Sequence, residues 1–170
     1  MATVRFRYFP VLDEDGKYIG VVSRRNMLNL HKKQLILVDH NEKSQAVEGI
    51  DEAEILEIID HHRIGTIETE GPVYFRNVPV GCTCTIVYQM YLEYDVDATT
   101  AGLLLSAILS DTLMFRSPTC TPTDERAARE LAQLAGVDLE EYADAMFGHG
   151  GDVSGKTAAE VFNGDYKIFT

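Results

Sequence analysis

Clusters of lysine and arginine are missing from this chain of 170 residues, which sets 15 basic side chains against 27 acidic ones for a formal charge of -12. That shortage excludes sequence-independent binding to nucleic acid or to an anionic membrane surface, because both need grouped cations. A polyanionic substrate would have to be met by a metal ion instead. Also missing are an apolar run of membrane-spanning length and a signal-peptide pattern, so the expected location is cytoplasmic, with no membrane partner. Cysteine is scarce: Cys82, Cys84 and Cys120 are odd in number and form no CxxC pair. A disulfide framework is thereby excluded, and reduced thiols fit a cytosolic chain.

What is present is a repeated design. Leu35-Ile36-Leu37-Val38 is a short apolar run that ends in Asp39-His40-Asn41-Glu42, and Ile55-Leu56-Glu57-Ile58-Ile59 ends in Asp60-His61-His62. Runs of this length, rich in Leu and β-branched residues and bounded by charge, fit strands covered on both faces of a parallel sheet. In open α/β sheets the reactive groups gather beyond the carboxyl ends of the strands. Two such ends side by side would unite Asp39, His40, Asp60, His61 and His62 as metal ligands or as an acid/base set. One Asp after a strand is commonly a helix cap and one His is commonly a surface residue; the doubling is what argues for a site.

Residues 1–33 read as a separate small unit. Phe9 to Leu12 and Tyr18 to Val22 form two strands joined by Asp13-Glu14-Asp15-Gly16, a hairpin turn signal, and Ser23 caps a helix from Arg24 through Met27, Leu28 and Leu30. From residue 34 the pattern becomes α/β. Strands are expected at 35–39, 55–60 and 72–77, with a short helix around Gln45 to Val47. A helix over 81–92 opens with Gly81-Cys82-Thr83, which could present N–H groups to an anion or could simply be a close-packed turn. The nearly all-apolar helix from Thr99 to Leu109 should be buried and runs into Ser110-Asp111-Thr112. A carboxylate there opposes the helix dipole and is costly without a cation, which makes Asp111 a third candidate ligand, unless it bonds to the following loop. Helices from Pro122 or Thr123 to Gly136 and from Leu139 to Met146 follow. Then come an exposed His149 in a glycine-rich stretch and a short helix within 158–170 that gives way to a polar linker.

The segments Val38-Asp39-His40-Asn41-Glu42, Ile59-Asp60-His61-His62-Arg63, Pro79-Val80-Gly81-Cys82-Thr83 and Leu109-Ser110-Asp111-Thr112, followed by Phe115 to Thr121, closely resemble the DHH phosphoesterase superfamily. The branch they resemble is the family II, manganese-dependent inorganic pyrophosphatases. The strand, strand, Ser-x-x-Asn, helix unit at 1–33 resembles the second half of a cystathionine-β-synthase (CBS) domain, the adenine-nucleotide sensor that some members of that branch carry as an insert. The implied fold is α/β: a mostly parallel sheet flanked by helices, a DHH domain lacking its first strand, preceded by a β-hairpin and helix from half a CBS domain. The implied divisions are 1–33 for the CBS-like half, 34–160 for the phosphoesterase core and 161–170 for a linker toward a further domain.

The resemblance also implies roles. Asp39 would bridge two metal ions, His61 and Asp111 would bind one of them, and His62 would contact the phosphate. Lys167 would bind substrate, while His40, Asn41 and Asp60 would orient the ligands. Ser23 would face a nucleotide phosphate and Asn26 a ribose, with a hairpin and capped helix that bind no ligand as the alternative. Mn²⁺ suits the mixed imidazole and carboxylate set, with Mg²⁺ or Co²⁺ as substitutes. The implied reaction is hydrolysis of pyrophosphate at a two-metal site. The branch's His-x-x-x-Asp-x-Asp segment and its basic second domain have no counterpart here, so little or no activity is expected of this chain alone. The alternatives are a phosphodiesterase of the wider superfamily acting on short oligonucleotides or cyclic dinucleotides, and a non-catalytic nucleotide-sensing or structural segment. Without the first strand, the edge along Leu35 to Val38 is expected to drive homo-oligomer formation or to recruit Val4 to Tyr8.

Overall fold

The computed structural model describes residues 5–28, 31–91, 94–150 and 155–163. Within them, two short apolar runs do form adjacent parallel strands. β3 (Gln34–Val38) and β4 (Glu54–Asp60) pair with Leu37 opposite Ile58 and Val38 opposite Ile59, and β5 (Tyr74–Asn77) adds to the other edge of β4, also parallel. The order β3-β4-β5 makes β4 the middle strand, and it ends in three consecutive buried residues, Ile58, Ile59 and Asp60. A register shift between Leu35 and Ile36 bends the outer strand.

The third strand begins at Tyr74 rather than Pro72, since proline has no N–H to give a ladder. The helix expected around Gln45 is instead two 3-10 turns, Lys43–Gln45 and Ile50–Glu52; Ile50 plugs the cluster of Leu37 and Ile58 on one sheet face. On the other face Ile59 packs with Val80 and with Ile86 of the following helix, α2 (Thr83–Tyr91). Helices α3 (Ala98–Thr112), α4 (Pro122–Ala135) and α5 (Leu139–Gly150) build the largest apolar core beside them. Ala127, Ala128 and Ala132 let α4 come close to Leu105 and Leu109 of α3, and all five are buried. Leu103 is 69% exposed, so α3 buries a stripe and not its whole circumference. Asp97 caps α3 by accepting the N–H groups of Thr99 and Thr100. Helix α5 carries on past Met146 through Gly148 to Gly150; the side chain of His149 lies outside the described residues.

The N-terminal unit is an antiparallel hairpin, β1 (Tyr8–Leu12) with β2 (Tyr18–Ser23), followed by α1 (Arg24–Leu28). No residue of it is fully buried. Its turn is closed by Asp13, whose Oδ1 accepts the N–H groups of Asp15 and Lys17, with Gly16 at φ 78°. A last helix, α6 (Ala158–Asn163), follows α5.

One buried carboxylate joins the sheet side to the helical side. Asp124, in the first turn of α4 and fully buried, accepts from Gly81 N–H at 2.8 Å, Thr85 Oγ1 at 2.6 Å, and Thr121 N–H and Oγ1 at 2.8 and 2.6 Å. Burial alone would push this carboxyl up, but the hydrogen bonds from Thr121, Thr85 and Gly81 outweigh it and hold the group below the usual carboxylate range. The stabilisation is therefore complete above about pH 4, where an unfolded Asp titrates, and is lost as pH falls through the lower folded value. Asp124→Asn should cost about 1.5–3 kcal/mol at neutral pH, the worth of a hydrogen bond to a charged group. It should also flatten part of the acid limb of stability. Urea unfolding at neutral pH and below pH 4 checks this; parallel curves for the two proteins would contradict it.

Candidate functional site

The site lies where β3 and β4 end. The backbone N–H of Asp39 still bonds Ile59 O at 2.9 Å, continuing the ladder one residue beyond β3, and then the chain turns with Asp39 at φ 67°. A non-glycine residue in this left-handed region is uncommon, Asp tolerates it better than most, and its side chain is thrown out over the strand ends. There it meets the two histidines: His61 Nε2 stands 3.5 Å from Asp39 Oδ1 and His62 Nδ1 4.0 Å from the same oxygen. Ligand atoms of Asp39, His61 and His62 all lie within 4.8 Å of one another.

The tautomers are set by what the other ring atoms touch. His61 Nδ1 is 2.9 Å from the carbonyl oxygen of Val80, which can only accept, so the ring proton sits on Nδ1 and Nε2 turns a lone pair toward Asp39. His62 Nδ1 likewise donates to Asp60 Oδ1 at 2.8 Å. Asp60 is fully buried and collects the N–H groups of His61 and His62 as well, while its second oxygen takes the amide of Asn41. Its burial raises the carboxyl pKa, but the bonds from His62, Asn41 and the two N–H groups more than offset that and leave it lowered. Asn41, 2% exposed, also donates to Arg63 O and accepts from Gly65 N–H, so the loop after the two histidines is tied to the end of β3. Gly65 is required there: a Cβ would collide with Glu42 Cγ and crowd the Asn41 carbonyl.

The other residues expected from sequence are placed less uniformly. His40 does not join the cluster; its Nδ1 donates to Val38 O at 3.0 Å, and its buried Nε2 has no hydrogen-bond partner. Asp111 sits inside the last turn of α3, exposed, and is not among the three side chains whose ligand atoms gather at the strand ends. Lys167 lies outside the described residues. Ser23 and Asn26 occupy each other: Asn26 N–H donates to Ser23 Oγ at 3.3 Å, and Asn26 Oδ1 accepts from Ser23 N–H at 3.0 Å and from its hydroxyl at 2.5 Å. That reciprocal cap closes α1 without a ligand.

Thr83 is the residue the sequence reading overlooked. Its hydroxyl donates to Asp39 Oδ1 at 2.7 Å and holds the carboxylate in place from the first turn of α2. The Gly81-Cys82-Thr83 segment does offer an N–H to an anion, but the anion is Asp124 of the same chain. A Cβ on Gly81 would come within 2.9 Å of the Thr112 methyl and 3.2 Å of Cys120 Cα, so the tight-turn reading also holds. The hydrogen bond Cys82 makes to Cys84, with its burial, pushes the Cys82 thiol up, and the same bond pulls Cys84 down.

Comparison with known proteins points the same way. The chain is 48% identical over 172 residues to a cobalt-dependent inorganic pyrophosphatase of Clostridium perfringens, which aligns with 100% of this chain and 31% of its own length. It is 54% identical over 138 residues to the manganese-dependent inorganic pyrophosphatase of Bacillus subtilis, covering 80% of this chain and 45% of that protein. A crystal structure from Methanococcus jannaschii, provisionally named a family II inorganic pyrophosphatase, superposes with a TM-score of 0.64 at 39% identity over 68% of this chain and 41% of its own. The chain thus spans less than half the length of these relatives. The DHH family's N-terminal domain matches residues 3–108, which include both strand ends and Thr83 but stop short of Asp111. With more than half of its length inside that match, and with its Asp and His side chains gathered at two parallel strand ends, the chain belongs to the DHH family.

Proposed function

We propose that this chain supplies the metal-holding face of an inorganic pyrophosphatase. The observation that carries the reading is a pair of acceptors facing each other: with its proton fixed on Nδ1 by Val80, His61 Nε2 turns a lone pair toward Asp39 Oδ1 at 3.5 Å. Two lone pairs at that distance repel unless a cation or a proton lies between them, and side chains of mixed imidazole and carboxylate type suit Mn²⁺, with Co²⁺ or Mg²⁺ as substitutes. Asp39, His61 and Asp111 would hold the ion, and His62 and Lys167 would meet the phosphate. Bound there, a divalent ion lowers the pKa of water and offsets phosphate charge. The protein's own part is positioning. Thr83 fixes Asp39, Val80 O fixes His61, and Asp60 orients His62 through Nδ1, so that Nε2, when it too carries a proton, would donate to a phosphate oxygen. The net charge of -12 makes the cation a precondition for holding pyrophosphate.

The same reading gives a cytoplasmic protein whose thiols stay reduced, in keeping with three free cysteines and with no described helix long and apolar enough to cross a membrane. It also gives a homo-oligomer joined through the outer edge of β3. Ile36 and Val38 are 54% and 44% exposed there, and no strand pairs with that edge among the described residues. Adenine nucleotides have less support at Ser23 and Asn26, which already satisfy one another.

Calorimetric titration with Mn²⁺ should show binding that falls by well over tenfold in Asp39→Ala and by about tenfold in Thr83→Val, the usual scale for losing an orienting hydrogen bond. Affinity unchanged by Asp39→Ala would sink the metal assignment. Phosphate release from pyrophosphate should depend on Mn²⁺ and vanish in Asp39→Ala. It should run roughly a hundredfold or more below a complete two-metal centre, since each missing preorganised group costs on that order. Release that ignores Asp39→Ala would remove the pyrophosphatase reading.

A further inference from the structure

Apart from the ring nitrogen left for substrate, His62 has three polar handles. Its N–H donates to Asp60 Oδ1 at 3.2 Å, and its ring Nδ1 donates to the same oxygen at 2.8 Å. The third, its carbonyl oxygen, accepts the side-chain amide of Asn77, the last residue of β5, at 2.8 Å. Asn77 stands opposite Asp60 in the parallel register, and the stretch it opens lines the turn after β4. Val78 N–H donates to Asp60 O at 3.2 Å, and Val80 O receives the ring proton of His61 at 2.9 Å. The bonds from Val78 and Val80 use backbone atoms that any residue but proline would offer. Only the bond from Asn77 depends on a side chain. An Asn at a strand end commonly bonds its own backbone a residue or two away, but this amide reaches a residue 15 positions earlier.

We propose that Asn77 is a positioning residue for His62, fixing the direction of the imidazole that meets the phosphate while taking no part in holding the metal. The ring has little else to fix it. The His62 side chain is 51% exposed, and the His61 ring beside it is tilted by 59° with 4.2 Å between centroids. Hydrogen bonds, more than burial, therefore set where Nε2 points.

The amide acts through the backbone. With the N–H and the ring held by Asp60, the peptide that follows His62 is the freedom that remains, and Asn77 removes it by holding the carbonyl oxygen. Only Nδ2 can make this bond, because a carbonyl offers no proton, so the orientation of the amide is fixed as well. Without the donor, the peptide between His62 and Arg63 can rotate, and the imidazole shifts with it. A misplacement of about 1 Å at a group that acts on substrate can cost on the order of a hundredfold in rate. Asp39 and His61 are anchored separately, by Thr83 and by Val80 O, so the ion they would hold is left in place. The hold of Asn77 on His62 stands apart from the pyrophosphatase reading, whereas its effect on phosphate chemistry rests on that reading.

The test compares the whole chain with its Asn77→Ala and Arg76→Ala variants. Arg76, one residue earlier on β5, donates to Gln89 of α2 at 3.3 Å and serves as the control for the strand. In Asn77→Ala the His62 amide proton should exchange severalfold faster with solvent by NMR, while the Val78 amide, bonded to Asp60 O, keeps its protection. Phosphate release from Mn²⁺ and pyrophosphate should fall roughly tenfold or more in kcat/KM, with Mn²⁺ affinity by calorimetry unchanged. Arg76→Ala should alter none of the three. Unchanged His62 exchange in Asn77→Ala would overturn the proposal. So would Mn²⁺ affinity that falls in step with turnover, or equal losses in Arg76→Ala, since either would make β5 a general support of the site. If the unsubstituted chain releases no phosphate, the pyrophosphatase reading fails for it, while amide exchange still decides whether Asn77 holds His62.

Discussion

A carboxylate buried at the tip of the middle strand is the constraint from which this site follows. Among the described residues no lysine or arginine pairs with Asp60, and removing an ionised group from water costs several kcal/mol unless its oxygens are otherwise filled. They are filled by the side chain of His62, the N–H groups of His61 and His62, and the amide of Asn41. Satisfying Asp60 requires the backbone to curl around it directly after β4, and that curl is what turns both imidazoles toward the end of β3. The same demand buries Asn41, whose remaining contacts, to Arg63 and Gly65, hold the next loop.

Asp124 repeats the solution on the helical side. Its donors are Gly81, Thr85 and Thr121, so the loop before α2 and the start of α4 are fastened to one pair of oxygens. Between the two bonds to Asp124 sits Thr83, aimed at Asp39. The reach of Thr83 is thus set by a carboxylate 41 positions later in the chain. Strand ends and helix start converge because two buried carboxylates, each held ionised by neutral donors, leave little freedom to the segments around them.

How much of this could be read from sequence depends on how local the cause is. The runs Leu35 to Val38 and Ile55 to Ile59 show themselves as parallel strands by length and composition, and Asp39, His61 and His62 as a cluster by their doubled placement at strand ends. The parallel pairing of β3 and β4 agrees with that reading. The cap at Thr121 with Pro122 behind it and the αL stop at Gly136 obey rules that span a few residues, and α4 begins and ends where they place it. Asp124 looks from sequence like one more acidic residue in a first turn; its bonds to Gly81 and Thr85 depend on packing that no local pattern encodes. The turning-away of His40 depends on the left-handed backbone of Asp39, and nothing in a Val-Asp-His triplet announces a positive φ. Asp111 is harder for another reason. The helix expected over Thr99 to Leu109 continues to Thr112, so the carboxylate expected at the helix's C-terminal end lies within its last turn and is exposed.

The chemistry of the cluster follows from this uneven rigidity. Asp60 and Asn41 are locked, His61 is 13% exposed and fixed by Val80, but Asp39 and His62 are 56% and 51% exposed and face solvent on one side. An ion held here would be gripped by buried supports beneath and left open above, the arrangement a catalytic metal needs if substrate and water are to reach it. A structural site would be closed on all sides. The buried, unpartnered Nε2 of His40 lies beside the same strand end, an acceptor whose desolvation nothing in the described residues offsets. Polar demand at the carboxyl end of β3 is therefore only partly met by the described residues, and no described strand pairs with the outer edge of β3.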